Sequence, residues 1–304
     1  MNIGATEKRA RAAAVALSLV CTLVAARAEP TEPAKPPPSE PLKSADANAP
    51  PDMKFIPAGA FTMGADKGGE EDEHPAHSVT LDAYWLDTTE VTNEAYDECV
   101  SAKVCRPHDP NSSLVNRFGG DEAFRARRQP ISSISWEDAT GFCKWKGKRL
   151  PTEAEWEKAA RGTDARRFPW GGETPDADRA VFAAGHTAEV GTHPKGAGPY
   201  GNLDMAGNVW EWVADIYDPY AYRRPTADKG IPGSCDQVMA AQDELRRKGL
   251  QGFTGKNPIP IECERGLRGG AFNYDGPGLR SCNRVHHPQR FRLIMSGFRC
   301  AKDG

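Results

Sequence analysis

The stretch at residues 204–212, Asp-Met-Ala-Gly-Asn-Val-Trp-Glu-Trp, constrains the fold more than any other part of the chain. Because side chains alternate along an extended strand, Trp210 and Trp212 would share one face and Glu211 would lie on the other. Two tryptophans on one face are large enough to anchor a hydrophobic core. Gly207 permits a turn that a side chain would resist. The stretch therefore predicts a turn followed by a core strand.

The acidic residues of this stretch have two interpretations. Asp204 and Glu211, with the peptide carbonyls between them, could supply oxygen ligands to a hard cation such as calcium. Acids beside turns more commonly cap the backbone or face solvent. From the residues alone, a Trp-rich core strand beside a polar turn is therefore the simpler interpretation.

The composition favours a turn-rich fold over a helix bundle. The 304 residues include 30 Gly and 25 Pro, and only 38% are hydrophobic. Such a balance is typical of chains with many turns and loops. The formal net charge of -3 provides no strong positive field, so we do not expect nucleic acid as a partner.

The N-terminus has the features of an export signal. A basic start precedes a small apolar run at residues 12–26, which is too short to span a membrane. The Ala-Arg-Ala of residues 26–28 fits a cleavage site. We therefore predict a signal peptide at residues 1–28, no transmembrane segment, and export to the periplasm or the extracellular space. Cys21 leaves a lipid anchor open as the alternative.

Export would place the cysteines in an oxidising compartment, where a disulfide framework is expected. Seven cysteines follow the predicted signal peptide, so at least one has no partner within a monomer. Cys99 and Cys105 could close a small loop at the end of a predicted helix. Cys235 and Cys263 bracket a Tyr/Pro-rich and charged segment, residues 217–264, and a disulfide between them would fix its base.

Local signals predict short elements after a disordered linker at residues 29–51, which is rich in Pro, Glu, Ala and Ser. Capping residues mark three helices, and a fourth, charged helix falls within the 217–264 segment. The predicted helices cover residues 93–100, 136–145, 153–161 and 238–248. Periodicity predicts further strands at residues 53–64 (a strand, a turn and a strand), 79–87, 268–272 and 297–300.

Charged residues elsewhere have ordinary structural interpretations. The acidic run at residues 66–77 is expected to be a solvated loop, and its two histidines are less expected to bind a metal. Four arginines near the C-terminus are expected to pair with acids and hold irregular loops. They are Arg268, Arg280, Arg284 and Arg299.

Eight short motifs in a fixed order resemble the formylglycine-generating enzyme, or sulfatase-modifying factor, family. They are Phe-Ile-Pro-Ala-Gly-x-Phe-x-Met-Gly (55–64), Thr-Glu-Val-Thr-Asn (89–93), Ser-Trp-Glu-Asp-Ala (135–139), Gly-Lys-Arg-Leu-Pro-Thr-Glu-Ala-Glu-Trp (147–156), Pro-Trp-Gly (169–171), Gly-Asn-Val-Trp-Glu-Trp (207–212), Arg-Gly-Gly (268–270) and Gly-Phe-Arg (297–299). The resemblance implies a single α+β domain at residues 52–304, with 217–264 as an insertion. The implied fold is related to C-type lectin folds and has little regular secondary structure.

The resemblance also implies a disulfide and a metal site. The disulfide would join Cys143 to Cys300. Calcium would be bound by the side chains of Asp204 and Glu211 and by the backbone carbonyls of Gly207 and Val209. Family members more often carry Asn at the first of these positions, and Asp is an equally competent oxygen ligand.

The family's characteristic reaction is not expected here. Formylglycine generation uses copper(I) held by two cysteines that follow an Arg-Gly-Gly-Ser motif, because soft thiolates suit this ion. In this chain Ala271 replaces the serine, and the two cysteine positions fall on Tyr274 and Leu279. Cys282 lies nearby without a second cysteine at the required spacing. We therefore do not expect a copper cofactor.

Two main functions remain open at this point, beside a purely structural role in the cell envelope. The first is an exported binding or scaffold module that holds a protein or peptide in the family's groove. The alternative is an oxygen-dependent, metal-assisted enzyme acting on a peptide or on a small thiol or amine. The candidate groove residues are Trp210, Tyr274, Cys282 and His286.

Overall fold

The computed structural model describes residues 50–112, 114–224, 234–249, 252–253, 257–258, 260 and 262–304. The predicted signal peptide, Cys21 and most of the predicted linker lie outside these residues. The described α-helices are α1 (Asn93–Ser101), α2 (Trp136–Trp145), α3 (Glu153–Arg161) and α4 (Cys235–Arg247). The described strands are β1 (Met53–Ile56), β2 (Gly59–Met63), β3 (His77–Leu81), β4 (Tyr84–Asp87), β5 (Trp210–Ile216), β6 (Gly252–Phe253), β7 (Asn257–Pro258), β8 (Glu264–Arg268), β9 (Val285–Pro288), β10 (Ser296–Gly297) and β11 (Ala301–Asp303). This mixture confirms the expected α+β class.

Two small sheets carry most of the strand pairing. In the first sheet, β4 lies between β1 and β11 and runs antiparallel to both. In the second, the order is β10-β5-β8-β9, with β5 parallel to β10 and antiparallel to β8. The strands β2 and β3 form an antiparallel pair, as do β6 and β7. The first and last strands of the domain, β1 and β11, therefore belong to the same sheet, the one centred on β4.

The predicted core strand is confirmed as β5. Trp210 and Trp212 are 2% and 0% exposed and belong to the same hydrophobic cluster. Glu211 is also fully buried, and its carboxylate faces Trp156 of α3 on the opposite side of the strand. The strand thus has no solvent-facing side at these positions.

Capping residues start α1, α2 and α3 where the sequence predicted them, whereas α4 begins at Cys235, three residues before its predicted start. The Thr92 hydroxyl accepts a hydrogen bond from the Ala95 N–H at the start of α1. At α3, the Glu155 N–H donates to the Thr152 hydroxyl, and the Thr152 N–H donates to the Glu155 carboxylate. Reciprocal bonds of this kind satisfy backbone donors that the first turn leaves unpaired.

Helix α3 is buried along its whole length. All nine residues are shielded from solvent, including Glu153, Glu157, Lys158 and Arg161. The helix packs against β2, β3, β5 and β8. Because buried charges are costly unless they are paired, partners from the surrounding elements must neutralise these side chains. The helix therefore gathers ionic partners from distant parts of the chain.

Four local predictions need correction. Residues 79–87 are not one strand, because β3 ends at Leu81 and β4 begins at Tyr84. Residues 268–272 do not form a strand, because β8 ends at Arg268 and the next two glycines have φ of 102° and 82°. Residues 297–300 do not form a strand, because β10 ends at Gly297 and β11 begins at Ala301. The acidic run at residues 66–77 is not simply solvated, because Asp72 and Glu73 within it are buried.

Three disulfides lie in the described residues, as expected. They are Cys99–Cys105, Cys143–Cys300 and Cys235–Cys263. The last one joins the start of α4 to the residue before β8, which is the predicted pinning of the 217–264 segment. None of the helices in the described ranges combines the length and the apolar character needed to cross a bilayer.

Candidate functional site

Strand β5 places Glu211 in a buried ion pair. The Arg299 guanidinium donates to both Glu211 carboxylate oxygens through Nε and Nη2, each at 2.7 Å. The Trp156 indole N–H donates to the same carboxylate at 2.8 Å. Arg299 is also 0% exposed, so this pairing satisfies a charge that could not otherwise be buried.

Two further buried acids lie beside this pair. The Asp204 carboxylate accepts a hydrogen bond from the Gly191 N–H at 2.6 Å. The Glu90 side chain is also buried, and both of its oxygens are without a hydrogen-bond donor among the described residues. Burial, followed by the charge of Asp204, raises the pKa of Glu90 well above its ordinary value. Three buried carboxylates thus surround the single guanidinium of Arg299.

The turn that precedes β5 contains the two residues whose backbone carbonyls the resemblance implies as calcium ligands. Gly207 has φ of 84°, and a Cβ there would lie 2.3 Å from the Val181 carbonyl oxygen, so the turn requires glycine. Val209, the other implied carbonyl ligand, is buried directly before β5. The surplus of buried carboxylates over cations at this turn suits a hard, oxygen-binding cation.

Side chains alone do not form a metal cluster in the described residues. No group of three or more His, Cys, Asp or Glu side chains there is arranged to hold a metal ion. The implied calcium set takes only two side chains, and backbone carbonyls provide its other ligands. It is therefore a different kind of site from one built from clustered side chains.

The positions of the family's copper ligands have no thiols. Leu279 is 0% exposed and packs in an apolar cluster with Phe168, Ala180 and Ala206. Tyr274 packs edge-on against Trp210 at a ring centroid distance of 5.2 Å. Trp210 itself is part of the core rather than of an open groove wall. Both side chains therefore contribute to packing.

Cys282 is the unpaired cysteine of the described residues, and it is buried. Its thiol donates to the Glu73 carboxylate at 2.9 Å. Burial, with the charge of Glu73, raises the pKa of this thiol to about 12. The thiolate, which is the reactive and metal-binding form, is therefore scarce at neutral pH.

His286 lies in a separate environment. Its ring stacks on Tyr217 at 3.9 Å, and Nδ1 is paired with the Glu264 carboxylate. The adjacent His287 stacks on Phe291 instead. Of the four candidate groove residues, the structure brings Trp210 and Tyr274 into contact, whereas Cys282 and His286 have different partners.

The sequence did not reveal an ionic network around α3. Glu153 accepts hydrogen bonds from Arg284 Nε at 2.7 Å and from Arg268 Nη1 at 3.1 Å. Glu157 pairs with Arg268 and with Arg161. The expected pairing of the C-terminal arginines with acids is confirmed, but their partners could not be named from local patterns. The only local sign was the unusual number of charges in a short helix.

The known proteins that this chain resembles support the same family. The family described as the sulfatase-modifying factor enzyme 1-like domain matches residues 38–304. The chain belongs to this family. A structure of PvdO from Pseudomonas aeruginosa, a sulfatase-modifying factor relative in fold, superimposes with a TM-score of 0.61 over 83% of this chain and 94% of that one. At 24% identity, this similarity shows the fold alone.

The curated relatives of this chain differ in their named activities. The serine/threonine-protein kinase pkn1 of Chlamydia caviae is 33% identical over 83% of this chain and 38% of its own length. The formylglycine-generating enzyme of Mus musculus is 31% identical over 54% of this chain and 58% of its own. The inactive C-alpha-formylglycine-generating enzyme 2 of Mus musculus is 32% identical over 56% of this chain and 70% of its own. This chain thus spans well under half of the chlamydial relative and somewhat over half of the mouse enzyme.

Proposed function

We propose that this domain is an exported binding module that holds a protein or peptide partner and does not generate formylglycine. The observation that carries the proposal is the pair Tyr274 and Leu279 at the copper-ligand positions. Leu279 is sealed in an apolar cluster, so it offers no ligand and leaves no room for one. A thiolate pair is what this type of copper site requires.

The other cysteines do not replace the missing pair. Six of those in the described residues are in disulfides. Cys282 remains, and its buried thiol is held in the protonated form beside Glu73. A single protonated thiol is a poor ligand for copper(I). The relatives' names include an active enzyme and an inactive one, so the family accommodates members without this reaction.

The oxidative alternative has less support. It would need a metal shared by some of the groove candidates, Tyr274, Cys282 and His286. Their observed partners are an aromatic core residue, a buried carboxylate and a separate Glu–Tyr pair. No contact among the described residues favours a common metal at these three positions.

We further propose that calcium stabilises the turn before β5. Asp204 and Glu211 would supply carboxylate oxygens, and Gly207 and Val209 would supply backbone carbonyls. Support comes from Glu90, which is buried beside Asp204 with no donor to its oxygens in the described residues, so its negative charge has no partner there when it ionises. Calcium would neutralise this charge and hold the start of the core strand in place, which is a structural role.

The reaction can be tested directly. The full chain, loaded with copper(I) under oxygen, is incubated with a sulfatase-type peptide containing Cys-x-Pro-x-Arg, beside the mouse formylglycine-generating enzyme as positive control. Mass spectrometry is expected to show unchanged cysteine with this chain and formylglycine with the control. Formylglycine from this chain would overturn the proposal. A peptide-display screen tests the proposal that the domain binds a peptide or protein partner. If no peptide binds saturably, that proposal is contradicted.

A further inference from the structure

A cavity of about 460 Å3 opens on the surface beside Cys282. Three segments meet around it: the glycine-rich loop that follows β2, the end of α3 with the residues after it, and the chain around residues 280–282. Its volume lies within the range of small-molecule sites in proteins, about 300–1,000 Å3. The copper-ligand positions Tyr274 and Leu279 do not line it.

The wall of this cavity is rich in cations. Four basic side chains line it, and one acidic side chain, Asp66, accompanies them. The four are Lys67, Arg161, Arg167 and Arg280. Three of them are guanidinium groups, which present several donors in a plane and match the geometry of carboxylate and phosphate oxygens.

Two of the four basic side chains are held in position by buried carboxylates. Arg161 pairs with Glu157, and its Nη1 also donates to the Gly64 carbonyl at 2.6 Å. Arg280 pairs with the buried Glu73 carboxylate. Buried carboxylates therefore hold both guanidinium groups in position before any ligand arrives. Such preorganisation lowers the ordering cost of binding.

These fixed guanidinium groups retain donors. The Nε atoms of Arg161 and Arg280 are buried and without acceptors among the described residues. Arg161 is only 5% exposed. A buried donor without an acceptor is costly, so the hydrogen-bonding capacity of these two guanidinium groups is not satisfied within the described residues.

The other two cations have no carboxylate partner. Lys67 and Arg167 are exposed at the rim, and neither forms an ion pair within the described ranges. Lys67 lies on a loop whose next residues, Gly68 and Gly69, have φ of 70° and 74°. A Cβ on Gly69 would lie 2.2 Å from the Glu73 carboxylate, so the loop can approach the cavity only with glycine there.

We propose that this cavity is a binding site for a small oxyanion ligand that carries a carboxylate or a phosphate group. Arg161 and Arg280 form its preorganised inner wall, and Lys67 and Arg167 supply the uncompensated charge at its rim. The site differs from the calcium turn and from the copper-ligand positions. It does not depend on whether the domain generates formylglycine.

The test is calorimetric titration of the full chain with inorganic phosphate and with citrate, at constant ionic strength. We expect saturable binding of at least one of them, and the stronger ligand identifies the preferred oxyanion. The double variant Lys67→Gln/Arg167→Gln should weaken that binding at least tenfold. Both positions are exposed, so neither substitution disturbs the core.

A matched control separates site binding from general charge effects. The variant Lys103→Gln/Arg117→Gln removes the same two charges from exposed positions, and Arg117 lies over Phe118 much as Arg167 lies over Phe168. This control is expected to bind like the unmodified chain. Absence of saturable binding by both anions, or equal weakening in the two double variants, would refute the proposed site.

Discussion

Arg299 donates to both carboxylate oxygens of Glu211 at 2.7 Å, although the two residues lie 88 positions apart. Both side chains are 0% exposed. Removing one partner of such a pair leaves an uncompensated buried charge, which typically costs about 3–5 kcal/mol. We therefore expect Glu211→Gln to lower the free energy of unfolding by about this amount, measured by urea denaturation with the disulfides intact.

The exposed pair Glu262–Arg290 provides the control for this prediction. Solvent screens surface pairs, so Glu262→Gln should leave the urea midpoint unchanged within error. Equal midpoints for Glu211→Gln and the unmodified chain would show that the buried pair is not needed for stability.

Calcium is expected to raise the melting temperature of the chelator-treated chain. Asp204→Ala should abolish the calcium-dependent shift, because it removes one of the two side-chain ligands. Asp204 has φ of 56°, so the substitution also changes the backbone strain and the melting temperature itself. The quantity to compare is therefore the difference between the melting temperatures measured with and without calcium for each variant. Asp303→Ala, a substitution of an exposed acid at the chain's end, should retain the full shift. An unshifted melting curve for the unmodified chain would contradict the calcium proposal.

The features that the sequence revealed are the local ones. The capping pair Thr152 and Glu155 lies within four residues, and it placed the start of α3 correctly. The alternation of Trp210, Glu211 and Trp212 likewise gave the strand and its two faces. Propensity, capping and periodicity act over a few residues, so a single sequence displays them.

The features that the sequence concealed join distant segments. Glu73 was assigned to a solvated acidic loop, yet it accepts a hydrogen bond from Cys282, 209 positions away. Glu153 lies in the first turn of α3, where an acid is common, yet it binds Arg268 and Arg284. The sequence does not distinguish an acid that the fold buries from one on the surface. The partner of a buried acid is known only once the chain is folded.

The disulfides Cys143–Cys300 and Cys99–Cys105 should contribute unequally to the free energy of unfolding. Their sequence separations are 157 and 6 residues. In the loop-entropy description, the long loop gives about 5 kcal/mol and the short one about 2 kcal/mol. The variant Cys143→Ala/Cys300→Ala should therefore lose more stability in urea than Cys99→Ala/Cys105→Ala. The reverse order would show that strain or packing outweighs loop entropy.

Cys282 should resist alkylation in the folded chain. Burial and the neighbouring Glu73 raise the pKa of its thiol to about 12, so little thiolate forms at pH 8. Iodoacetamide at pH 8 is expected to leave Cys282 unmodified without urea and to modify it fully in 8 M urea, as read by peptide mapping. Rapid alkylation without urea would show that the thiol is accessible and ionised.

Asp215 should make stability depend on pH in a direction opposite to that of most carboxylates. Its carboxylate accepts the Glu153 N–H at 2.6 Å, and burial together with the charge of Glu153 raises its pKa to about 7. The unfolded chain ionises Asp215 near its ordinary pKa of 3.8, so the contribution is fully present below that pH. It is lost as the pH rises through 7.

Asp215→Asn removes this titration while keeping a side-chain oxygen that can accept the same backbone N–H. Relative to the unmodified chain, the variant should therefore gain stability between pH 4.5 and pH 8, by at most about 3–4 kcal/mol from the size of the pKa shift. Urea midpoints at both pH values measure the difference. Asp164→Asn is the control that should show almost no change between these pH values, because hydrogen bonding to Arg166 lowers the pKa of Asp164 and its titration lies below this range. If the stability difference between Asp215→Asn and the unmodified chain is the same at both pH values, Asp215 is ionised in the folded chain throughout this range, and the raised pKa is wrong.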